Sequence, residues 1–296
     1  MPYCRKCGTG LVEDAKFCPK CGTSAGLPTA KPERRSIRRE QRRPMSTLSV
    51  VLIVLLVVVV IVATALATAF SLGLWQPFGH VVGSENLVTQ ERFLSDFSVV
   101  KVRSGFEVEI IESSSYSIKI TADDNVIDYV EVSKGIDTLI IRLRWGYSYQ
   151  SVTLKAKITM PELYELELSG GTRGTVEGFS SSHEFVAELS GGSHLSGDFT
   201  TSGDAQFTLS GGSHLSELDG VANNLRISAS SGSHLELSDF QVHDAHVDLS
   251  GGSHATINLD GRLDADLSGG SNLLYIGDPT MGDIDTSGGS TISRKY

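Results

Sequence analysis

The 296-residue chain reads as an all-β protein whose C-terminal two thirds wind into a single-stranded β-helix, a β-solenoid. Three observations predict it. Four histidines, His194, His214, His234 and His254, stand twenty residues apart, each closing a Ser-Gly-Gly-Ser-His or Ser-Ser-Gly-Ser-His pentapeptide. The serines that open this turn and its relatives, Ser169, Ser190, Ser210, Ser230, Ser250, Ser268 and Ser287, follow at intervals of 21, 20, 20, 20, 18 and 19 residues. Between the turns apolar and polar residues alternate, the period of a strand with one buried face. A chain shows such a period when each coil stacks on the last at the strand spacing of about 4.8 Å.

Composition divides what comes before. Met1 to Met45 holds eleven Lys/Arg against four Asp/Glu, Ser46 to Gln76 holds no charge, and the remainder holds fourteen Lys/Arg against thirty-one Asp/Glu. The net charge of −10 therefore joins a basic head to a strongly acidic tail, and parts so different belong to different surroundings. All four cysteines fall within the first 21 residues, so no disulfide framework is open to the rest.

Residues 1–26 carry Cys4-Arg5-Lys6-Cys7 and, ten residues on, Cys18-Pro19-Lys20-Cys21. Two C-x-x-C pairs at this distance are the signature of one tetrahedral four-cysteine zinc site. Gly8 and Gly22 follow the pairs and let the backbone fold under the metal. Arg5, Lys6, Lys16 and Lys20 offset the charge of four thiolates and favour their ionised form. The stretch from Tyr3 to Thr23 resembles the short zinc ribbons at the N-termini of many prokaryotic membrane proteins. With Cys4, Cys7, Cys18 and Cys21 filling all four positions, none is left for water, so one structural Zn2+ is expected rather than a catalytic one. Redox use of either pair lacks the βαβ setting that such chemistry occupies.

Residues 27–46 read as a basic juxtamembrane linker and 47–74 as a transmembrane helix. The run from Val50 to Val62 is wholly aliphatic and continues through Ala63 to Leu74 with small interruptions. About twenty apolar residues cross a hydrocarbon layer of about 30 Å, and in lipid even a valine-rich backbone must satisfy its own hydrogen bonds as a helix. A cleaved signal peptide is the rival, since Ala65-Leu66-Ala67 resembles a cleavage site, but the segment ahead of it is far longer than usual. Lys31, Arg34, Arg35, Arg38, Arg39, Arg42 and Arg43 crowd the N-terminal flank, whereas Trp75 and Phe78 follow the span. The positive-inside rule then places a single-pass protein in the plasma membrane, N-terminus cytoplasmic and C-terminal domain extracytoplasmic. The basic run serves topology, and nucleic acid is not an expected partner.

Residues 75–91 read as a linker and 92–296 as the solenoid. Strand signals begin at Phe97-Ser-Val-Val-Lys-Val and Phe106-Glu-Val-Glu-Ile and recur to Val152-Thr-Leu-Lys-Ala-Lys-Ile. From Tyr164 the period takes over. Alternation predicts an inward column of Leu168, Leu189, Leu209, Ala229, Leu249, Leu267 and Thr286 before the turn, and Leu195, Leu215, Leu235, Ala255 and Leu273 after it. The residues just ahead of the second column then point outward: Arg173, His194, His214, His234, His254, Asn272 and Thr291. A further outward column runs Thr175, Ser196, Ser216, Glu236, Thr256, Leu274 and Ser293.

Three readings of the histidine ladder compete. Stacked imidazoles fix the register of neighbouring coils; or they bind a metal, although flat stacked rings rarely converge on one ion; or they form a pH-sensitive surface, since adjacent imidazolium groups repel. His243-Asp244-Ala245-His246-Val247-Asp248 reads as an exposed corner rather than a metal cluster. Asp264 and Asp266 share a face without any sign of a raised pKa, and no nucleophile elbow or phosphate loop is present.

Phe97 to Ile120, the Pro161-Glu162-Leu163 step and the recurring Leu-Ser-Gly-Gly-Ser resemble the auto-transporter adhesin head, or GIN, domain family of bacterial cell envelopes, over roughly Phe93 to Tyr296. The resemblance implies a β-helical fold, an adhesion or envelope role, and no catalytic residues to carry over. No C-terminal translocator barrel is expected after Tyr296, the N-terminal helix being the anchor. The reading is a membrane-anchored cell-envelope protein, not an enzyme, whose solenoid binds or scaffolds. Its expected partners are the membrane, envelope polysaccharide or a surface protein, and a cytoplasmic protein at the zinc ribbon. The alternatives are an envelope-sensing transmembrane signalling protein and a polysaccharide-active β-helix enzyme.

Overall fold

The computed structural model describes residues 3–13, 15–24, 60, 64 and 79–296. The basic linker lies outside the described residues, as do Trp75, Phe78 and all of the 47–74 span except Val60 and Thr64, which are helical. Among the described residues no helix is long and apolar enough to cross a membrane. Two compact units result, Met1–Ser71 and Leu72–Tyr296.

In the smaller unit each C-x-x-C pair sits in the same short loop. Tyr3 bridges Gly10 and Phe17 bridges Ser24, both antiparallel. Inside each loop the amide of the first cysteine donates to a threonine carbonyl, Cys4 to Thr9 and Cys18 to Thr23, at 2.8 Å. Gly8 and Gly22 take φ of 71° and 69°, the left-handed conformation that glycine reaches at least cost. Two copies of one knuckle thus face each other, with Cys4, Leu11 and Cys18 as the small buried core.

The larger unit is an all-β solenoid of about six turns, nearly without helix; a single 3-10 turn, Ile127–Tyr129, interrupts it. Each repeat of about twenty residues supplies two strands, one to each of two sheets. The strands from Glu165–Ser169 through Phe185–Ser190, Ala205–Leu209, Asn224–Ala229, Asp244–Leu249 and Arg262–Leu267 to Thr280–Thr286 build one sheet. Those from Arg173–Ser181 through His194–Thr201, His214–Val221, His234–Val242, His254–Leu259 and Asn272–Ile276 to Thr291–Arg294 build the ladder sheet. All of these pair in parallel, each with the strand one repeat away.

The predicted inward columns face the core. Leu168, Leu189, Leu209, Ala229, Leu249 and Leu267 are buried on one sheet, and Leu195, Leu215, Leu235, Ala255 and Leu273 on the other. Between the sheets runs a chain of phenylalanines: Phe179 stacks on Phe199 at 5.9 Å, Phe199 on Phe185 at 3.9 Å, and Phe207 meets Phe240 at 5.7 Å. Thr286 departs from its column and lies exposed on the last turn. Thr256, expected to point outward, is buried, and the Ser196 and Ser216 slots fall out of line. For the serine slots the cause is local: Leu195 pairs with Leu215 but Gly197 with Leu218, so one extra residue bulges out near Glu217, whose φ is 55°, whereas Thr256 keeps its register with Glu236 and Leu274.

The Gly-Gly corner turns because both of its residues are left-handed, as at Gly191 and Gly192, with φ of 62° and 77°. A Cβ at Gly191 would also sit 3.3 Å from the amide nitrogen of Gly170 in the coil below, whereas one at Gly192 would meet nothing within 4 Å. The serine that follows, unremarked in the sequence, points inward. Thr172, Ser193, Ser213, Ser233, Ser253 and Ser271 are buried, and each hydroxyl donates at 2.8 Å to the carbonyl three residues back. A closed local hydrogen bond is what lets a hydroxyl sit in an apolar core.

The coil also begins earlier than its period. Val99–Arg103 pairs in parallel with Glu165–Ser169, and Glu107–Glu112 with Arg173–Ser181. Ser104 and Gly105, both at φ 78°, stand where the glycine pair stands, and buried Phe106 fills the inward serine slot. Within residues 113–163, Thr138–Leu143 and Leu154–Met160 pair in parallel with Val99–Arg103 and Glu107–Glu112, and antiparallel pairings are added around them, Leu87–Arg92 on Ser117–Asp123, Ser117–Asp123 on Leu154–Met160, and Val130–Lys134 on Thr138–Leu143. Residues 79–91 are not a linker: His80–Val82 and Leu87–Arg92 are strands, because Val81 packs on the core and Leu87–Arg92 finds a free sheet edge.

Candidate functional site

The four cysteines converge. One sulfur from each of Cys4, Cys7, Cys18 and Cys21 lies within 4.8 Å of every other. Cys4 and Cys21 stand 3.6 Å apart and Cys7 and Cys18 3.5 Å, close to the roughly 3.8 Å edge of a tetrahedron built on Zn–S bonds of about 2.3 Å. The donor set therefore fits a metal ion of the zinc type, all-sulfur and tetrahedral. Thr9 and Thr23 each place a hydroxyl 3.3 Å from a sulfur, of Cys7 and Cys21 respectively. The Thr9 hydroxyl and amide draw the Cys7 thiol down to about 6, so it ionises readily. Neither threonine was singled out from the sequence, although the repeated Cys-Gly-Thr was visible.

The histidine ladder is continuous. His194 pairs with His214, His214 with His234, His234 with His254, and His254 with Asn272. Successive ring centroids are 6.5, 6.1 and 6.0 Å apart, with planes tilted by 37°, 38° and 35°. The rings are offset neighbours rather than flat stacks. The column extends past both ends: Arg173 pairs with Glu107 and Glu107 with Lys155, while Asn272 pairs with Thr291, making nine residues in one line. Lys155 reaches Glu107 at 2.9 Å and Thr291 donates to Asn272 at 2.7 Å. Lys155 and Glu107 escaped sequence reasoning because the coil that carries Glu107 lacks the Leu-Ser-Gly-Gly-Ser signature.

Burial, reinforced by the neighbouring imidazole of His214, holds His194 below the ordinary histidine range; His234 is lowered in the same way, with His254 adding to the effect. These imidazoles are therefore neutral at neutral pH and offer one donor and one acceptor each. Among the described residues, the cysteines, and not the ladder histidines, are the group of three or more such side chains whose atoms lie close enough to share one ion.

The other candidates separate. His243 is exposed at the corner, 2.9 Å from Asp260, while His246 stands outward on the opposite sheet, 3.5 Å from Asp248. Asp264 and Asp266 do share an outward face, but Arg262, 2.7 Å away, holds the Asp264 carboxyl below its usual range. A general acid at neutral pH requires the opposite shift.

Comparison with known proteins places both units. The sequence model of the family described as "Putative auto-transporter adhesin, head GIN domain" matches residues 96–279, and that of the zinc-ribbon domain matches 3–25. No curated protein matches the chain. Among solved structures, a putative adhesin from Bacteroides fragilis is similar at 17% identity and a TM-score of 0.67, over 73% of this chain and all of its own. A putative adhesin from Parabacteroides merdae matches at 18% identity and a TM-score of 0.59, over 73% of this chain and 99% of its own. A protein from Parabacteroides distasonis described as a putative lipid binding protein has the same identity, TM-score and coverage of this chain. None of these three is described as an enzyme. At such identity they show the fold alone.

Proposed function

Because the chain belongs to the family of auto-transporter adhesin head GIN domains, we propose that its solenoid is a binding and scaffolding module of the cell envelope. On this reading residues 47–74 span the plasma membrane once, holding the solenoid outside and the zinc ribbon in the cytoplasm. The observation that carries the binding role is the ladder: nine in-register side chains on one line, four of them imidazoles about 6 Å apart. A line of alternating donors and acceptors at strand spacing suits an extended polar chain, whose hydroxyls recur along its length as these groups do, so envelope polysaccharide is the proposed ligand. Weak contacts repeated along a line add as multivalent binding does.

The test uses residues 79–296 immobilised and exposed to envelope polysaccharide. Retention by the native sequence, and its loss when His194, His214, His234 and His254 are all replaced by alanine, is expected. No retained polysaccharide, or retention indifferent to the four substitutions, would sink the reading.

The ribbon's role is structural. Cys4, Cys7, Cys18 and Cys21 would hold one Zn2+, which supplies the energy that a core of three buried residues does not. A second reading, in which the ribbon docks a cytoplasmic protein and so passes on a signal, draws on its exposed Tyr3, Val12 and Phe17, apolar side chains that stand 67%, 78% and 64% accessible.

A further inference from the structure

Gly79 precedes the first strand of the larger unit, and what lies against it is aromatic. His80–Val82 pairs in parallel with Ser148–Gln150, and the Gly79 carbonyl accepts the amide of Ser148 at 3.0 Å. Gly79 lies so close to Tyr147 that an added Cβ would stand 2.8 Å from its ring. Tyr147 in turn packs edge-on against Tyr129 at 4.8 Å and beside Tyr149 at 6.2 Å.

Upon this base sits the turn Arg144-Trp145-Gly146-Tyr147. The Tyr149 hydroxyl donates to the Arg144 carbonyl at 2.9 Å, and the Arg144 guanidinium lies 5.8 Å from the Tyr129 ring. The turn is thus braced from within, yet Trp145 is 87% exposed. A rigid mount under the largest apolar side chain, left in water, is what a partner surface requires. Ile136, the most exposed aliphatic side chain here, tips the other end of the hairpin whose open end leads into Trp145, so the two do not form one patch.

Distance names the partner. Five peptide units separate Leu74, the last residue of the proposed membrane span, from Gly79, and they reach at most about 17 Å. Whatever lies against Gly79 is held near the lipid headgroups. Trp and Tyr are the side chains that favour that layer, apolar body inward and polar edge wet. Arg142 and Arg144 flank the turn and share Glu131, at 3.0 and 3.6 Å.

We propose that the Arg144–Tyr147 turn is a membrane foot, which lays Trp145 into the headgroup region of the bilayer. The proposal rests on the reading of 47–74 as a transmembrane segment. It makes the foot a second, independent contact with lipid.

The chain has two tryptophans, Trp75 and Trp145, so each can be isolated as a reporter. The full chain is reconstituted in phosphatidylcholine vesicles containing a minority of phosphatidylglycerol, either unlabelled or brominated near the ester end of the acyl chains. In the Trp75→Phe variant, emission from Trp145 should shift to the blue on reconstitution and be quenched by brominated lipid. The Trp145→Phe variant reports Trp75, beside the anchor. Quenching of Trp75 with Trp145 left water-like and unquenched would overturn the foot while leaving the anchor standing. Quenching of neither would overturn the anchor and the foot together.

Discussion

Replacing Gly220 by alanine should be far more damaging than the same change at Gly212, although both glycines have positive φ. At Gly212, with φ of 71°, an added Cβ meets nothing within 4 Å. The cost there is left-handed strain alone, about 1 kcal/mol. At Gly220, with φ of 142°, the Cβ would stand 1.9 Å from the carbonyl oxygen of Phe199 and 2.8 Å from its carbon. Those atoms belong to the neighbouring coil, where Phe199 pairs with Gly220 and Gly220 with Phe240. Relief needs a separation of more than 1 Å between paired strands, which breaks ladder hydrogen bonds worth about 1 kcal/mol each and loosens the phenylalanine core. Together with strain, the expected loss is about 3–5 kcal/mol. Urea unfolding of residues 79–296, followed by circular dichroism, reads both variants against the native sequence. Equal midpoints for the two would refute the argument, because it assigns the difference wholly to the oxygen of Phe199.

Ser213→Ala removes a buried hydroxyl bonded at 2.8 Å to the Ser210 carbonyl and should cost about 1–2 kcal/mol, whereas Ser210→Ala, half-buried, should cost little; thermal melts compare them. The lowered His194 and His234 set a pH dependence: the unfolded chain binds protons more tightly at both sites, so stability is full above the ordinary histidine pKa of about 6.5 and falls as pH drops through the lower folded values. The double variant His194→Gln, His234→Gln should flatten the fall of urea midpoints as pH drops below about 6.5, and an unchanged slope would count against the ladder as its source. Chelation should collapse the dispersed amide resonances of residues 3–24 in full-length protein while the β-sheet circular dichroism of the solenoid persists; dispersion that survives chelator would refute a structural metal.

The repeat was legible because one geometric demand recurs. Two successive left-handed residues select glycine, and the leucines on either side must face inward, so turn and columns repeat together through Ser268-Gly269-Gly270. Where another solution meets the same demand, the pattern vanishes from the sequence. Ser104 and Gly105 turn the first coil with φ of 78° each and Phe106 takes the serine's place, so that coil hides among ordinary strands. Ser193 and its equivalents were missed for a related reason. A serine beside two glycines reads as solvated turn, and only the bond to its own turn's carbonyl makes burial affordable. The cysteines were the opposite case, since their spacing is itself the chemistry and only Thr9 and Thr23 had to await the structure.

The ladder slot explains why histidine fills it four times. Neighbours in this column are one strand spacing apart, about 4.8 Å, where like charges repel. At one end the chain meets the constraint by alternating sign: Lys155, then Glu107, then Arg173. A run of four identical side chains cannot alternate, so a side chain without a fixed charge suits it, and a line proposed to bind must still be polar. Imidazole meets both conditions, because partial burial and its neighbours keep His194 and His234 uncharged at neutral pH while each ring retains a donor and an acceptor. Lysine at the same four positions would repel itself, and leucine would leave an apolar stripe open to aggregation. The sequence of this column, charged pair, arginine, four imidazoles, amide and hydroxyl, is therefore a solution to stacking and, on the proposed reading, to binding at once. Acidification should weaken both together, as protonated rings push adjacent coils apart and lose their acceptors.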